Sequence, residues 1–452
     1  MKNIAIIGGG ASGTLLAINL LRQPSPAPLK ITLFEKRQKL ACGVAFSTEN
    51  ERHLLNVPAS KMSAFPDDPN NFVSWLNKNG HSFEPNDFVP RRLFGEYLKY
   101  LLDNELASAP SSRSLDIIAG KVDSFIAKEG KYNMPLSDGS VLRFDDVVLA
   151  FGNFLPPHPT VPDLTFTTSP KYIRDIWNSE SGKNIERTDD VLIVGTGLSM
   201  ADVVLRLEGD GHQGKITAIS TKGILPAVHK LGFHYESFAD ELLGAKRITD
   251  IFKTVRRHIR NAEKIGSDWR AVIDSLRPIT QELWYGLPAT EKRYFMQHLS
   301  RYWNAVRHRM PAKVAVTIQQ LIQSGKLTIL SGRLRHISLD ESGHFLVNFT
   351  TGGKQSYVSA DVLINCIASE SNFALIDSEL VRVLLRDGLI RCDPLNMGLD
   401  ATLDGKLIGA NGSPSDGLWT LGTSLKGTLW ESTAIPEIRV QARALAERLA
   451  TS

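Results

Sequence analysis

Cysteine is scarce. Cys42, Cys366 and Cys392 are the only three, and none stands in a C-x-x-C pair. That argues against a disulfide scaffold and against a dithiol relay. Cys and His ligands at zinc spacing are also lacking, and the cytoplasm is the expected compartment. No apolar run approaches the about 18 residues needed to span a bilayer, so no membrane span is expected. The opening MKNIAIIGGG lacks the longer apolar region and cleavage site of a signal peptide, and reads as a buried first strand. No zinc-finger, RNP-like or basic-zipper pattern occurs, so nucleic acid is not an expected partner. The net charge of +4 is small. Its distribution says more: residues 246–313 hold 15 Lys or Arg against 6 Asp or Glu. Solvated helix faces account for this, or a positive field that draws a phosphorylated cofactor or an acidic substrate.

What is present is ordinary for a folded soluble chain: 42% hydrophobic and 22% charged residues over 452 positions, room for two or three domains. Glycines divide the chain. NIAIIG, a Gly-rich turn, the helical run ASGTLLAINLLR and PLKITLFEKR give strand, turn, helix, strand. Residues 40–115 mix loops and helices, with a helix expected at NFVSWLNKN, and 116–149 read as a meander ending in DDVVLAFG. A second cycle begins with DDVLIVG, TGLSMADVVLRL and KITAIS. Between 235 and 325, strand periodicity gives way to helices expected at FADELLG, IFKTVRRHI, DWRAVIDSL, YFMQHLSRYW and VTIQQLIQ. LTILSGRLRHISL, HFLVNFTT and ADVLINCIA then form a second meander that echoes the first. In the last segment Ile435, Ile438, Ala442, Leu445 and Leu449 share one helical face.

The first loop places Gly8, Gly10 and Gly13 in G-x-G-x-x-G register. Gly8 permits the tight turn, Gly10 lets the backbone approach a pyrophosphate, and Gly13 lets helix and strand pack closely. Free N–H groups and the helix dipole then face the phosphates. Glu35 closes the next strand, about twenty residues on, where a carboxylate reads a ribose diol. The alternative for Glu35 is a solvated strand end beside Lys36 and Arg37.

The second loop keeps Gly195 and Gly197 but has Met200 where the third glycine would stand. Ser199 suits a phosphate or a helix cap, and Asp202 suits loop or helix contacts. No acid closes KITAIS; Ser220, Thr221 and Lys222 follow instead. Hydroxyls and a cation fit a 2′-phosphate, which favours NADPH over NADH. The alternative is that Lys222 points into solvent.

Together, IIGGGASG at 6–13, GVAFS at 43–47, HLLNVPA at 53–59, FGN at 151–153, IVGTGLSMAD at 193–202 and LWESTAIPEIRVQA at 429–442 resemble the FAD–NAD(P)-binding proteins distantly akin to flavin-dependent N-hydroxylases and flavin-containing monooxygenases. The resemblance covers nearly the whole chain. It implies an α/β fold with two dinucleotide-binding (Rossmann-like) domains, the second inserted in the first, and an additional helical segment. The expected boundaries are 1–155 for the first part of the FAD domain, 160–230 and 325–345 for the NAD(P) domain, 235–325 for the helical insertion, and 345–452 for the rest of the FAD domain. It further implies that Gly8, Gly10, Ser12, Gly13 and Glu35 hold FAD, that Asn56 and Asn153 lie near the flavin or nicotinamide, and that Glu431, Ser432 and Thr433 reach the flavin end. Gly195, Gly197, Ser199 and Lys222 would serve NADPH. Three departures stand out: AFG at 150–152 and CIA at 366–368 replace the usual A-T-G, and LGTSLKG at 421–427 replaces a Gly-Asp pair before the last helix.

The resulting expectation is an FAD-dependent oxidoreductase, an NADPH-dependent monooxygenase that uses molecular oxygen on a small soluble substrate, with an acidic molecule among the candidates. The alternatives are a reductase or dehydrogenase feeding a quinone or protein, and a non-enzymatic flavin-binding scaffold. The helical insertion would shield a dry site. Ser432 or Thr433 would cap the last helix. His53 is a candidate proton shuttle or a satisfied loop histidine. Arg307, His308 and Arg309 either bind an acidic group or end a helix, and Trp284 and Tyr285 either line a pocket or pack in a core.

Overall fold

Continuous apolar runs around two Gly-rich turns build two sheets. The computed structural model describes residues 1–24, 27–37, 39–136, 138–178 and 180–451. The first cycle is β1 (Lys2–Ile7), α1 (Ala11–Arg22) and β2 (Leu29–Glu35). It continues through α2 (Asn71–Lys78), α3 (Arg91–Ser108) and β3 (Arg113–Ala119). A meander of β4 (Ile126–Lys128), β5 (Lys131–Pro135) and β6 (Val141–Phe144) then feeds β7 (Asp146–Leu149). The second cycle is β8 (Tyr172–Ile173), β9 (Val191–Val194), α4 (Leu198–Gly209) and β10 (Ile216–Ser220).

Six helices follow: α5 (Ile248–Lys264), α6 (Trp269–Ser275), α7 (Thr280–Gly286), α8 (Ala289–His298), α9 (Ser300–Arg307) and α10 (Ala312–Gln323). Next come β11 (Leu327–Ser331), the meander β12 (Arg333–Leu339), β13 (Phe345–Thr351) and β14 (Lys354–Ala360), and β15 (Val362–Asn365). The chain closes with α11 (Glu379–Arg386), β16 (Lys406–Ile408), β17 (Pro414–Thr420), α12 (Lys426–Leu429) and α13 (Ile435–Thr451).

The first sheet runs β16-β17-β7-β1-β2-β3 and the second β11-β10-β9-β15-β8. β1 lies parallel between β2 and β7, and β9 lies parallel between β10 and β15. Successive strand residues face opposite sides. Ile4 and Ile6 therefore meet α1 and α13 in one core, while Ala5 and Ile7 meet the first meander in another. The second sheet repeats the scheme: Val191 and Ile193 pack on α4 and α10, and Leu192 and Val194 on the second meander. A sheet covered on both faces explains why these strands read as continuous apolar runs.

Two boundaries differ from the sequence reading. β15 belongs to the second sheet, since Val362 pairs with Val191 and Asn365 with Val194, and β13 and β14, in a separate three-stranded sheet with β12, pack on it. The return to the first sheet thus follows Asn365 rather than residue 345, because the second meander feeds its own sheet. Helix α10 also leaves the insertion: Val314, Ile318 and Leu321 are buried against the second sheet, ahead of β11. The helices α5–α9 share a separate core, where Trp284 and Phe295 pack against Trp430 and Met397 from the C-terminal segment.

Local expectations also shift. FADELLG holds only a short 3-10 turn at Ala239–Glu241, and YFMQHLSRYW divides into two helices around Leu299. β3 is a full parallel strand of the first sheet and not part of the meander. Helix α13 buries all five residues of its expected face. Among the described residues neither Ser432 nor Thr433 makes a capping bond, and the buried Ser432 hydroxyl has no hydrogen-bond partner.

Candidate functional site

Each Gly-rich turn opens a cavity at the C-terminal end of its sheet's central strand. In the first, Gly8 has φ +112°, and a Cβ there would stand 2.3 Å from the Ala150 carbonyl oxygen at the end of β7. A Cβ on Gly13 would stand 1.9 Å from the Gly8 carbonyl oxygen. Both positions demand glycine for the fold itself. Gly10 differs. Its added Cβ would approach only Gly43, at 3.4 Å, and it lines the cavity. Gly10 is the N-cap of α1 and no side chain caps that helix, so the first-turn N–H groups remain for an anion.

The first cavity has a volume of about 380 Å³. Glu35 lines it and is braced by backbone: one carboxylate oxygen accepts from Gly9 N–H at 2.8 Å, the other from Arg37 N–H at 2.8 Å. Each oxygen keeps a lone pair, the geometry a ribose diol requires. Ser12, Asn56 and Asn153 also line this cavity. Asn56 is positioned through its carbonyl, which accepts from His229 Nε2 at 3.0 Å. Burial pushes His229 down to about 4, so its ring is neutral at pH 7. These glycines, uncapped N–H groups and the braced carboxylate fit the adenine, ribose and pyrophosphate of FAD.

His53 does not join them. Its Nδ1 is 2.7 Å from Thr48 Oγ1, its Nε2 donates to the Asp202 carbonyl at 3.0 Å, and it lines neither cavity. Burial lowers its pKa. The proton-shuttle expectation gives way to that of a satisfied loop histidine, because both ring nitrogens are used in holding two segments together.

The second turn repeats the first. Gly195 has φ +119°, and its Cβ would lie 2.5 Å from the Cys366 carbonyl oxygen at the end of β15. Gly197 is the uncapped N-cap of α4, with open space where a Cβ would be. Met200 occupies the third-glycine position and is fully buried in the core. Gly195, Gly197 and Ser199 line a second cavity of about 900 Å³.

The expected cation does not line that cavity. Lys222 is exposed and outside the lining, beside the turn at Gly223 with φ +60°. Thr221 and Arg333 line it instead. Arg333 begins β12, and Gly332 N–H donates to the Ser220 carbonyl at 2.9 Å, which joins the two chain ends. Arg333 has no ion-pair partner among the described residues.

The two cavities share His308 and Thr433. Helix α9 supplies this meeting point: Arg301, Asn304, Ala305 and His308 line the second cavity, spaced to share one helical face. No hydrogen bond is made by the His308 ring among the described residues. Burial lowers its pKa, with Glu431 and Glu437 opposing and Arg307 and Lys426 adding to the shift. Its neighbours in sequence are structural. Arg307 pairs with Glu431 at 3.3 Å and Glu437 at 3.8 Å, and buried Arg309 pairs with Asp274 at 2.9 Å.

Glu431 lines only the second cavity; its carboxylate accepts from Trp303 Nε1 at 3.0 Å and pairs with Arg307. Ser432 lines neither cavity. Trp284 is core, donating Nε1–H to the Gly427 carbonyl at 2.8 Å and stacking on Trp430, whereas Tyr285 is exposed. The cysteines are dispersed and free, and burial raises all three thiol pKa values. Arg333 and Lys426 line the second cavity and Arg91 the first, and none of the three was expected from the sequence.

Residues 5–154 match the family model described as FAD-NAD(P)-binding. A curated relative, the Escherichia coli (strain K12) "Uncharacterized protein YdhS", is 24% identical over 262 residues, 50% of this chain and 46% of that protein. The chain thus spans about half the length of that relative. Among solved structures, the ornithine N-hydroxylase of Kutzneria sp. 744 superposes with a TM-score of 0.64 at 14% identity, covering 99% of each chain. L-lysine 6-monooxygenase from Pseudomonas syringae gives 0.66 at 13% identity over 100% of both chains. Bacillithiol disulfide reductase from Staphylococcus aureus gives 0.60 at 12% identity, covering 100% of this chain and 99% of that one. The amino-terminal segment is thus similar to FAD–NAD(P)-binding domains, and the chain as a whole has the fold of these three solved structures.

Proposed function

We propose that this protein is an NADPH-dependent flavin monooxygenase acting on a small molecule. The observation that carries the reading is the meeting of two nucleotide-type cavities at His308 and Thr433. One is built on Gly8–Gly13 and Glu35, the other on Gly195–Ser199. Bound there, the flavin supplies the redox chemistry, accepting hydride from a nicotinamide and passing electrons to oxygen. The chain's own residues do the placing. Glu35 would hold the adenosine ribose of FAD, Asn56 and Asn153 line the same cavity, and Thr221 with Arg333 would hold the 2′-phosphate of NADPH. Helix α9 lays one face along the second cavity and reaches the first at His308.

Two features favour oxygen over a disulfide as electron acceptor. The cysteines form no pair, and their thiols are held protonated by burial. Fold neighbours with opposite outcomes, hydroxylases and a disulfide reductase, make this the deciding point. The test is steady-state oxidation of NADPH by the FAD-loaded protein with oxygen consumption followed in parallel. Oxygen uptake that tracks NADPH loss supports the reading. An artificial quinone that outpaces oxygen points to the reductase alternative. No NADPH oxidation with either acceptor points to a flavin-binding scaffold.

A further inference from the structure

The cation Lys426 opens α12 and lines the second cavity near His308, Trp430 and Thr433. It is partly buried, and burial lowers its pKa. Its ammonium has no ion pair or hydrogen bond among the described residues and stands over the face of Trp430, 5.7 Å from the ring centroid. Neighbouring cations are treated differently. Arg277 pairs with Glu437, Arg307 with Glu431, and Arg309 with Asp274. Glu431, the nearest carboxylate in sequence, is committed to Trp303 and Arg307. A half-buried ammonium left without an anion is costly unless a ligand supplies one.

The proposed cofactors do not supply it. The pyrophosphate of NADPH belongs at the Gly195–Ser199 turn, and its 2′-phosphate at Arg333. The end that reaches the junction is a nicotinamide, whose amide is neutral and whose oxidised ring is positive. That leaves the substrate. Arg301, the cation on the α9 face that lines the cavity, is exposed to solvent. The half-buried ammonium, beside a ring whose pKa burial lowers, is left to match one negative charge, which favours a carboxylate over a phosphate. His308, its ring unpartnered, can donate to the same oxygen pair, and Arg301 and Asn304 stand on the same helix face.

We propose that Lys426 and His308 form a substrate subsite for a carboxylate at the junction of the two cavities. This rests on the reading of those cavities as FAD and NADPH sites. The test uses the full chain loaded with FAD, at constant ionic strength. Acetate, benzoate and glutarate are titrated against flavin absorbance, beside acetamide, benzamide and glutaramide, and NADP+ is titrated separately. At least one carboxylate is expected to perturb the flavin saturably and to bind about ten-fold or more tightly than its amide. Lys426→Gln should remove that preference and leave NADP+ affinity within about two-fold of the parent. Lys426→Arg should retain the preference, which guards against a mere packing defect in the first variant.

Equal binding of carboxylates and amides, or no flavin perturbation by either, overturns the subsite. So does a Lys426→Gln variant that loses NADP+ and carboxylate alike, since the lysine would then serve the cofactor. If the parent protein takes up neither FAD nor NADP+, the cofactor reading itself fails and the subsite falls with it.

Discussion

Arg91 and Asp202 form a bidentate ion pair, with nitrogen–oxygen distances of 2.9 and 3.2 Å and side chains 13% and 8% exposed. Arg91 begins α3 beside the first cavity, and Asp202 lies in the first turns of α4 behind the second. The same arginine donates from Nε to the Leu54 carbonyl at 2.9 Å. One pair thus ties the two nucleotide turns together. Asp202→Ala would strand a largely buried guanidinium in the wall of the first cavity. We expect a loss of about 3 kcal/mol or more in denaturant unfolding. Arg91→Met with Asp202→Leu should recover much of it, because no unpaired charge remains. Equal stability of Asp202→Ala and parent would show that the pair carries no structural load.

The glycines separate fold from binding. Gly13→Ala puts a methyl 1.9 Å from a carbonyl oxygen and should cost folded yield outright. Gly10→Ala has room in the protein and intrudes only on the cavity. It should fold with near-parent stability in the absence of flavin and bind FAD about ten-fold or more weakly. Flavin fluorescence quenching on titration measures this. Parent-like FAD affinity in Gly10→Ala would remove the pyrophosphate from this turn.

Acid should loosen the molecule before it touches ordinary carboxylates. His229 is held near 4 by burial, against an unfolded value of about 6.5. Its folded value is depressed, so the unfolded chain binds the extra proton first. The stability it contributes is complete above about pH 6.5 and is lost as pH falls toward 4, by at most about 1.4 kcal/mol per pH unit. His53, His212 and His308 shift in the same direction. Denaturation midpoints across pH 7 to 4 should therefore fall steadily. His229→Gln, which keeps an amide donor for the Asn56 carbonyl, should flatten the slope. A slope unchanged in that variant would assign it elsewhere.

Cofactor choice turns on Arg333. Losing a charge-assisted bond to the 2′-phosphate costs about 1.5–3 kcal/mol. Arg333→Ala should raise the NADPH dissociation constant by about ten-fold or more and leave NADH nearly unchanged. Lys222→Ala should change neither much, since that side chain faces solvent. Anaerobic flavin reduction at varied cofactor concentration measures both. A parent preference for NADH, or an effect of Lys222 exceeding that of Arg333, would contradict the assignment.

The glycine turns were legible in the sequence because their spacing records where backbone must approach backbone. Gly8 against Ala150 and Gly195 against Cys366 are the same local requirement met twice. The α13 face was legible for a similar reason, since helical spacing alone fixes which residues are buried. The echo between DDVVLAFG and ADVLINCIA has a counterpart in the sheets, where β7 pairs with β1 and β15 with β9. What was not legible depends on segments meeting in space. Lys222 follows β10 directly and looked like the phosphate cation, yet Arg333, more than a hundred residues on, reaches the cavity instead. His308 stood in a basic cluster whose arginines are paired for structure, and sequence had no means to single it out. β14 was missed because KQSYVSA lies on an exposed meander and its pattern is mostly polar. His53 carried the chemistry of a shuttle but was used up by Thr48 and Asp202.

The cysteines should prove dispensable for the first half-reaction. A variant with Cys42, Cys366 and Cys392 replaced by small residues should still transfer hydride from NADPH to flavin at near-parent rate, provided it folds and loads FAD. Loss of transfer in a folded, loaded variant would bring a thiol into the mechanism.

The central claim is that two cofactor cavities meet so that a nicotinamide reduces a flavin. Its most direct test is to mix FAD-loaded protein with NADPH under anaerobic conditions and follow oxidised-flavin absorbance in a stopped-flow cell. A saturable, single-turnover bleaching of the flavin is the predicted result. An FAD-loaded protein whose absorbance stays unchanged at saturating NADPH and NADH would contradict the account.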